Sequence, residues 1–152
     1  MLVISQNSTT YALIMLLAGI GIPIMAALNA GLGGKLQSPA LAATILFFVA
    51  AAASLLFLLL ISGVPASLSA PLTPFYFYLG GLFVVFYVLS VTWIAPQFGI
   101  GNAVAFVLLG QLLSMATIDQ FGLMGAQQTS LTLPRLIGLV FMALGVFLVV
   151  RK

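Results

Sequence analysis

Asp119 is the only acidic side chain among 152 residues, and four Lys or Arg are the only basic ones. A water-soluble domain of this length carries charge on about a quarter of its residues to keep its surface hydrated. Here 3% are charged and 64% are hydrophobic, so the chain has to take lipid as its solvent. A crossing takes roughly 20 apolar residues. The apolar runs, divided by Pro, Gly and polar clusters, predict an all-α integral membrane protein with five transmembrane helices in one domain spanning residues 1–152.

The missing residue types bound the chemistry. With no His, Cys or Glu there is no imidazole base, no thiolate, no pair of carboxylates and no metal-ligand set. The expectation is therefore no enzyme, no catalytic residue, no metal and no cofactor; an intramembrane enzyme would need a dyad that these residues do not supply. A formal charge of +3, scattered along the chain, is no footprint for nucleic acid.

The first span is expected at 10–31. It follows a polar start without Lys or Arg, lacks the basic region of a signal peptide, and reads as a retained helix. Ser38 and Pro39 pair a capping hydroxyl with proline at the first helical position and open the second span, 39–61. Residues 64–72, with two prolines and two serines, read as an interfacial loop. Thr73 and Pro74 repeat the start signal for the third span, 74–95, which Pro96 is expected to stop. Its aromatic ends, Phe75, Tyr76, Phe77, Tyr78 and Trp93, suit rings held at headgroup level. Asn102 is expected to cap the fourth span, 102–118, and Pro134 to open the fifth, 134–150.

With five crossings, Lys35, Arg151 and Lys152 fall on one side and Arg135 on the other. The excess favours a cytoplasmic C-terminus and an N-terminus outside, and it is small enough to leave dual orientation open. Helices in lipid associate through small residues. Gly19, Pro23, Ala26 and Ala30 form such a stripe in the first span, and Gly110, Ser114 and Thr117 in the fourth; ordinary bundle packing accounts for both. Polar side chains inside spans mark a pathway or act as interhelical glue. The substrate-pathway candidates are Asn29, Tyr87, Ser90, Gln111 and Ser114, and for these neutral groups glue is the favoured alternative.

The run Gly19-Ile20-Gly21-Ile22-Pro23 with Asn29, followed by Ser38-Pro39, resembles the opening of the five-helix YdcZ-type branch of the drug/metabolite transporter (DMT) superfamily. Gln97, Gly99, Ala103, Gly110-Gln111-Leu112 and Ile118-Asp119-Gln120-Phe121-Gly122 resemble its fourth-helix segment. The resemblance implies a DMT-like half-unit in the bacterial inner membrane that moves a small molecule outward. It also implies assembly in pairs, because larger relatives contain two five-helix halves in opposite orientation. One departure matters: the first span lacks the glutamate with which the related small multidrug resistance proteins bind cations and protons.

The reading that results is a homodimeric secondary transporter, within membrane lipid and without nucleic acid, for a small neutral, zwitterionic or amphipathic metabolite. Its rival is a non-transporting subunit that packs against a partner membrane protein. The dimer interface is expected at Gly138 and Gly145, seven residues apart on one helix face. That spacing resembles the last-helix pairing motif of the small multidrug resistance proteins, and an antiparallel pair is preferred. Asp119 either pairs with Arg135 across the loop or couples proton movement to substrate movement.

Overall fold

The computed structural model describes residues 8–63 and 74–150. The expected loop at 64–72, Thr73, and the basic end Arg151-Lys152 lie outside them. The described residues form five helices long and apolar enough to cross a membrane. They fall into two compact units, residues 1–97 and 98–152.

In the first unit, α1 runs Ser8–Leu36 and α2 runs Pro39–Phe57, continuing as a π-helical turn Leu58–Ser62. The third span enters through a 3₁₀ segment, Phe75–Leu79, and continues as α3, Gly80–Phe98. The turn between α1 and α2 is two residues long and uses both chain ends fully. Gln37 takes a left-handed conformation (φ 52°), while the Ser38 and Gln37 amides donate to the carbonyls of Gly33 and Gly34. That is the Schellman closure of a helix C-terminus. Ser38 then caps α2 in the expected way, its hydroxyl accepting from the Leu41 amide with Pro39 at the first position.

Two boundaries in this unit differ from expectation. α1 passes through Gly31, Gly33 and Gly34 to Leu36 instead of ending near residue 31. In lipid the backbone has no water to bond with, so glycines that would end a soluble helix stay helical. Likewise Pro96 lies inside α3, which ends two residues later at Phe98. Pro96 has no N–H to give the Thr92 carbonyl four residues back, yet this single lost bond does not end the helix, and the break comes at Gly99, whose φ of 90° only glycine adopts readily.

Small residues hold this unit together. Ala26, Asn29, Ala30 and Gly33 are the buried stripe of α1, Ala42 and Ala43 that of α2, and Val88, Val91, Thr92 and Ala95 that of α3. The stripe expected on α1 is therefore half realised: Ala26 and Ala30 are buried, whereas Gly19 is exposed. Gly33 marks the tightest approach. A Cβ there would lie 3.1 Å from the Thr92 methyl and 3.4 Å from the Pro39 Cα.

In the second unit, α4 runs Ile100–Phe121 and α5 runs Leu133–Val150, joined by a loop with one 3₁₀ turn, Leu123–Gly125. α4 begins two residues before Asn102, and Asn102 does not cap it. The Asn102 amide instead donates to the carbonyl of Phe98, leaving Gly99 at the cap position. Gly122, left-handed, closes α4 by donating to the Ile118 carbonyl. No residue of α5 is buried.

Candidate functional site

Charge is confined to helix ends. Among the described residues Lys35 is in the last turn of α1, Asp119 in the last turn of α4 and Arg135 in the first turn of α5. The middle of every span is uncharged, and its chemistry rests on amides and hydroxyls.

Asn29 is 4% exposed and Thr92 2%. The Asn29 Nδ2 donates to Thr92 Oγ1 at 2.6 Å, and Thr92 Oγ1 donates in turn to the Val88 carbonyl at 2.7 Å. This relay ties α1 to α3 at the level where Gly33 lets the two helices meet. Of the expected pathway residues on α3, neither joins it. Ser90 lies two residues before Thr92, about 200° around the helix, and is partly buried. Tyr87 sits at the edge of the buried face, its hydroxyl enclosed without a hydrogen-bond partner among the described residues. A cleft of about 510 Å³ lies between α2 and α3, lined by Ala43, Phe47, Ala51, Val85 and Leu89 among others. Its one hydroxyl, Thr44, is spent on the carbonyl of Ala40. The cleft is greasy, and its one hydroxyl has only acceptor lone pairs left to offer.

In the second unit Gln111 and Ser114 are exposed along α4. Ser114 borders an open groove of about 330 Å³ with Thr117 and Met124. Gly138 and Gly145 have nothing within 4 Å of where a Cβ would stand, so the groove they leave on α5 is open.

The end of this hairpin is a polar latch. Arg135 Nη2 bonds Asp119 Oδ2, and both side chains are partly buried. Arg135 also reaches the Thr129 carbonyl, and the Thr129 amide donates to the Asp119 carbonyl at 2.8 Å. Gln120 completes it, its Oε1 accepting from the Leu131 amide and its carbonyl from Gln128. Of the two roles open to Asp119, the pairing with Arg135 is the one on view. Thr92 and Gly33 carry structure that sequence reasoning did not single out, and Gln120, quoted only within the fourth-helix resemblance, carries more than was expected of it.

No curated protein and no solved structure matches the chain at a significant level. Residues 10–148 match the family model described as "Putative inner membrane exporter, YdcZ". The match spans all five helices, and an exporter family points to transport and away from enzymatic turnover. With that coverage and five apolar spans, the chain belongs to the YdcZ-type family of inner-membrane exporters.

Proposed function

We propose that the chain is a secondary transporter that carries a small neutral, zwitterionic or amphipathic metabolite out of the cell as a homodimer. The observation that carries this reading is the uncharged interior: every ionised side chain among the described residues sits at a helix end, and the one buried polar contact between helices is Asn29 with Thr92. A fixed cation or anion in mid-span would be the natural partner of a charged solute; amides and hydroxyls favour a solute without strong net charge. The dimer is supported by α5, which buries no residue, and by Gln111 and Ser114, exposed polar groups in a helix whose lipid surroundings cannot hydrogen-bond them.

Flux from the purified chain in liposomes tests the reading. Movement of uncharged or zwitterionic solutes sustains it. Absence of flux from the chain alone, together with co-purification of a second membrane protein, establishes the rival role of a non-transporting subunit. Orientation is read with single cysteines, since the chain has none of its own. With the N-terminus outside, an impermeant thiol reagent labels Ala126→Cys from the periplasmic side and leaves Gln37→Cys untouched; equal labelling of both means dual insertion. Proton coupling, if it operates, falls to Asp119. Asp119→Asn then abolishes uptake driven by a pH gradient and leaves exchange intact, whereas retained pH-driven uptake confines Asp119 to its latch with Arg135.

A further inference from the structure

We infer that Thr92 is a positioning residue that turns the Asn29 carboxamide so that its oxygen is offered to a hydrogen-bond donor on the transported solute. The inference rests on the transport reading above and narrows its substrate class to solutes bearing an N–H or O–H.

The argument is one of counting hydrogens. A threonine hydroxyl has one hydrogen and two lone pairs. Thr92 Oγ1 lies 2.7 Å from the Val88 carbonyl oxygen. Two oxygens that close repel unless a hydrogen stands between them, and the carbonyl has none, so the hydroxyl hydrogen is committed to Val88. Toward Asn29, 2.6 Å away, Thr92 can then only accept. Asn29 must present its NH₂, which fixes which way the amide faces. The Oδ1 is left pointing away from Thr92; no hydrogen bond among the described residues reaches it, and it is not one of their fully enclosed unpartnered atoms, so it keeps some open surface.

An amide oxygen that opens toward an apolar, lipid-filled surrounding is costly to leave unmatched, because nothing there can donate to it. Satisfying it requires a donor, and the absence of charge in mid-span means the donor need not arrive with a counter-ion. Gly33 secures the arrangement from the other side, because the Thr92 methyl packs over its bare Cα and cannot rotate freely.

Thr92→Val keeps the methyl over Gly33 and removes the acceptor; Thr92→Ser keeps the acceptor. The probes are two methylation ladders: glycine to N-methyl-, dimethyl- and trimethylglycine, all zwitterions, and acetamide to its N-methyl and N,N-dimethyl forms, all neutral. Each is tested for thermal stabilisation of the full-length protein in detergent. The expected result is a roughly three- to tenfold loss of apparent affinity in at least one ladder when the last N–H is removed, the size of one hydrogen bond's net contribution. Thr92→Val should flatten that dependence and Thr92→Ser restore it. A wild type that ranks neither ladder by N–H count, or a Thr92→Val variant that keeps the ranking, overturns the inference. The same panel run as flux in liposomes separates the two claims: movement without donor preference leaves transport standing and removes the role of Asn29, while donor-graded stabilisation without any movement does the reverse.

Discussion

The two units show different ways of joining helices that are too apolar for the hydrophobic effect to join them. The first, built on α1, α2 and α3, relies on small buried residues: Gly33 lies against Pro39, Ala42 and Thr92, Ala26, Ala30 and Ala43 are buried as well, and a neutral hydrogen-bond relay joins α1 to α3. The second, the α4–α5 hairpin, is fastened at its loop end. Asp119, Gln120, Thr129 and Arg135 form a polar clasp there, while α5 along its length has half-buried residues but no fully buried one. Lipid tails are as apolar as leucine, so contact alone stabilises only through dispersion, and dispersion demands close fit. A unit with close fit holds its own shape. A unit without it keeps surface for another partner.

The contrast is broken most severely at Gly33. A leucine there puts its Cβ 3.1 Å from the Thr92 methyl, tighter than ordinary contact, and the rest of its side chain has to fit beside the Pro39 Cα, 3.4 Å away. Gly33→Leu is expected to cost about 1–3 kcal/mol, the usual penalty for overpacking, and to separate α1 from its neighbours. Its control is the adjacent Gly34, around which nothing lies within 4 Å. Gly34→Leu should leave thermal stability in detergent unchanged. Equal losses in both variants would show that glycine flexibility, and not close approach, is what position 33 supplies.

Next in size is Ser38, which caps α2 inside the two-residue turn that the first unit depends on. Ser38→Ala removes the acceptor for the Leu41 amide and is expected to lower stability by about 1 kcal/mol. Ser38→Asp, which restores an acceptor, should recover it. Both are read from denaturation midpoints of the purified protein.

How much of this was legible before the structure follows the same physics. Five spans could be counted because hydropathy and length leave few alternatives, and Ser38-Pro39 was readable because capping chemistry is local. The ends at Gly31 and Pro96 were misjudged for a shared reason: both are breakers in water, where a freed backbone group finds a solvent partner, and lipid supplies none. Asn29 was visible because an amide in an apolar run has to go somewhere. Thr92 was not, since a threonine can satisfy its hydroxyl on the carbonyl one turn back and so leaves no anomaly in the sequence. Gly33 was hidden as one of five glycines in α1, and only the position of its neighbours sets it apart.

The clasp of the second unit should prove weaker than its number of bonds suggests. Asp119 and Arg135 are only partly buried, and such pairs contribute about 0–1 kcal/mol. Arg135→Gln is expected to lower stability by no more than this, and by less as salt is raised. A double-mutant cycle with Asp119→Asn gives the coupling directly. A coupling well above 1 kcal/mol would mean that the hairpin end is shielded from water and headgroups, and would bring the second unit closer in character to the first.

The smallest effect on the fold, and the one that best separates the units, is expected at Gly138 and Gly145. Neither has any atom within 4 Å of where a side chain would begin, so Gly138→Leu and Gly145→Leu should fold and insert as the wild type does. Leucine also has the better helix propensity, by under 1 kcal/mol per position, so any change in monomer stability should be slightly favourable. What the substitutions fill is the groove that a second α5 would enter. Two glycines seven residues apart open about two turns of one helix face, and a copy of the same helix gains dispersion contacts only if it can reach the backbone there. Each leucine should therefore shift the protein toward monomer, read as oligomer mass in detergent or as loss of cross-linking in the membrane. If monomer stability falls instead while oligomer mass stays constant, α5 packs on its own chain more tightly than its exposed surface indicates, and the second unit is no more open than the first.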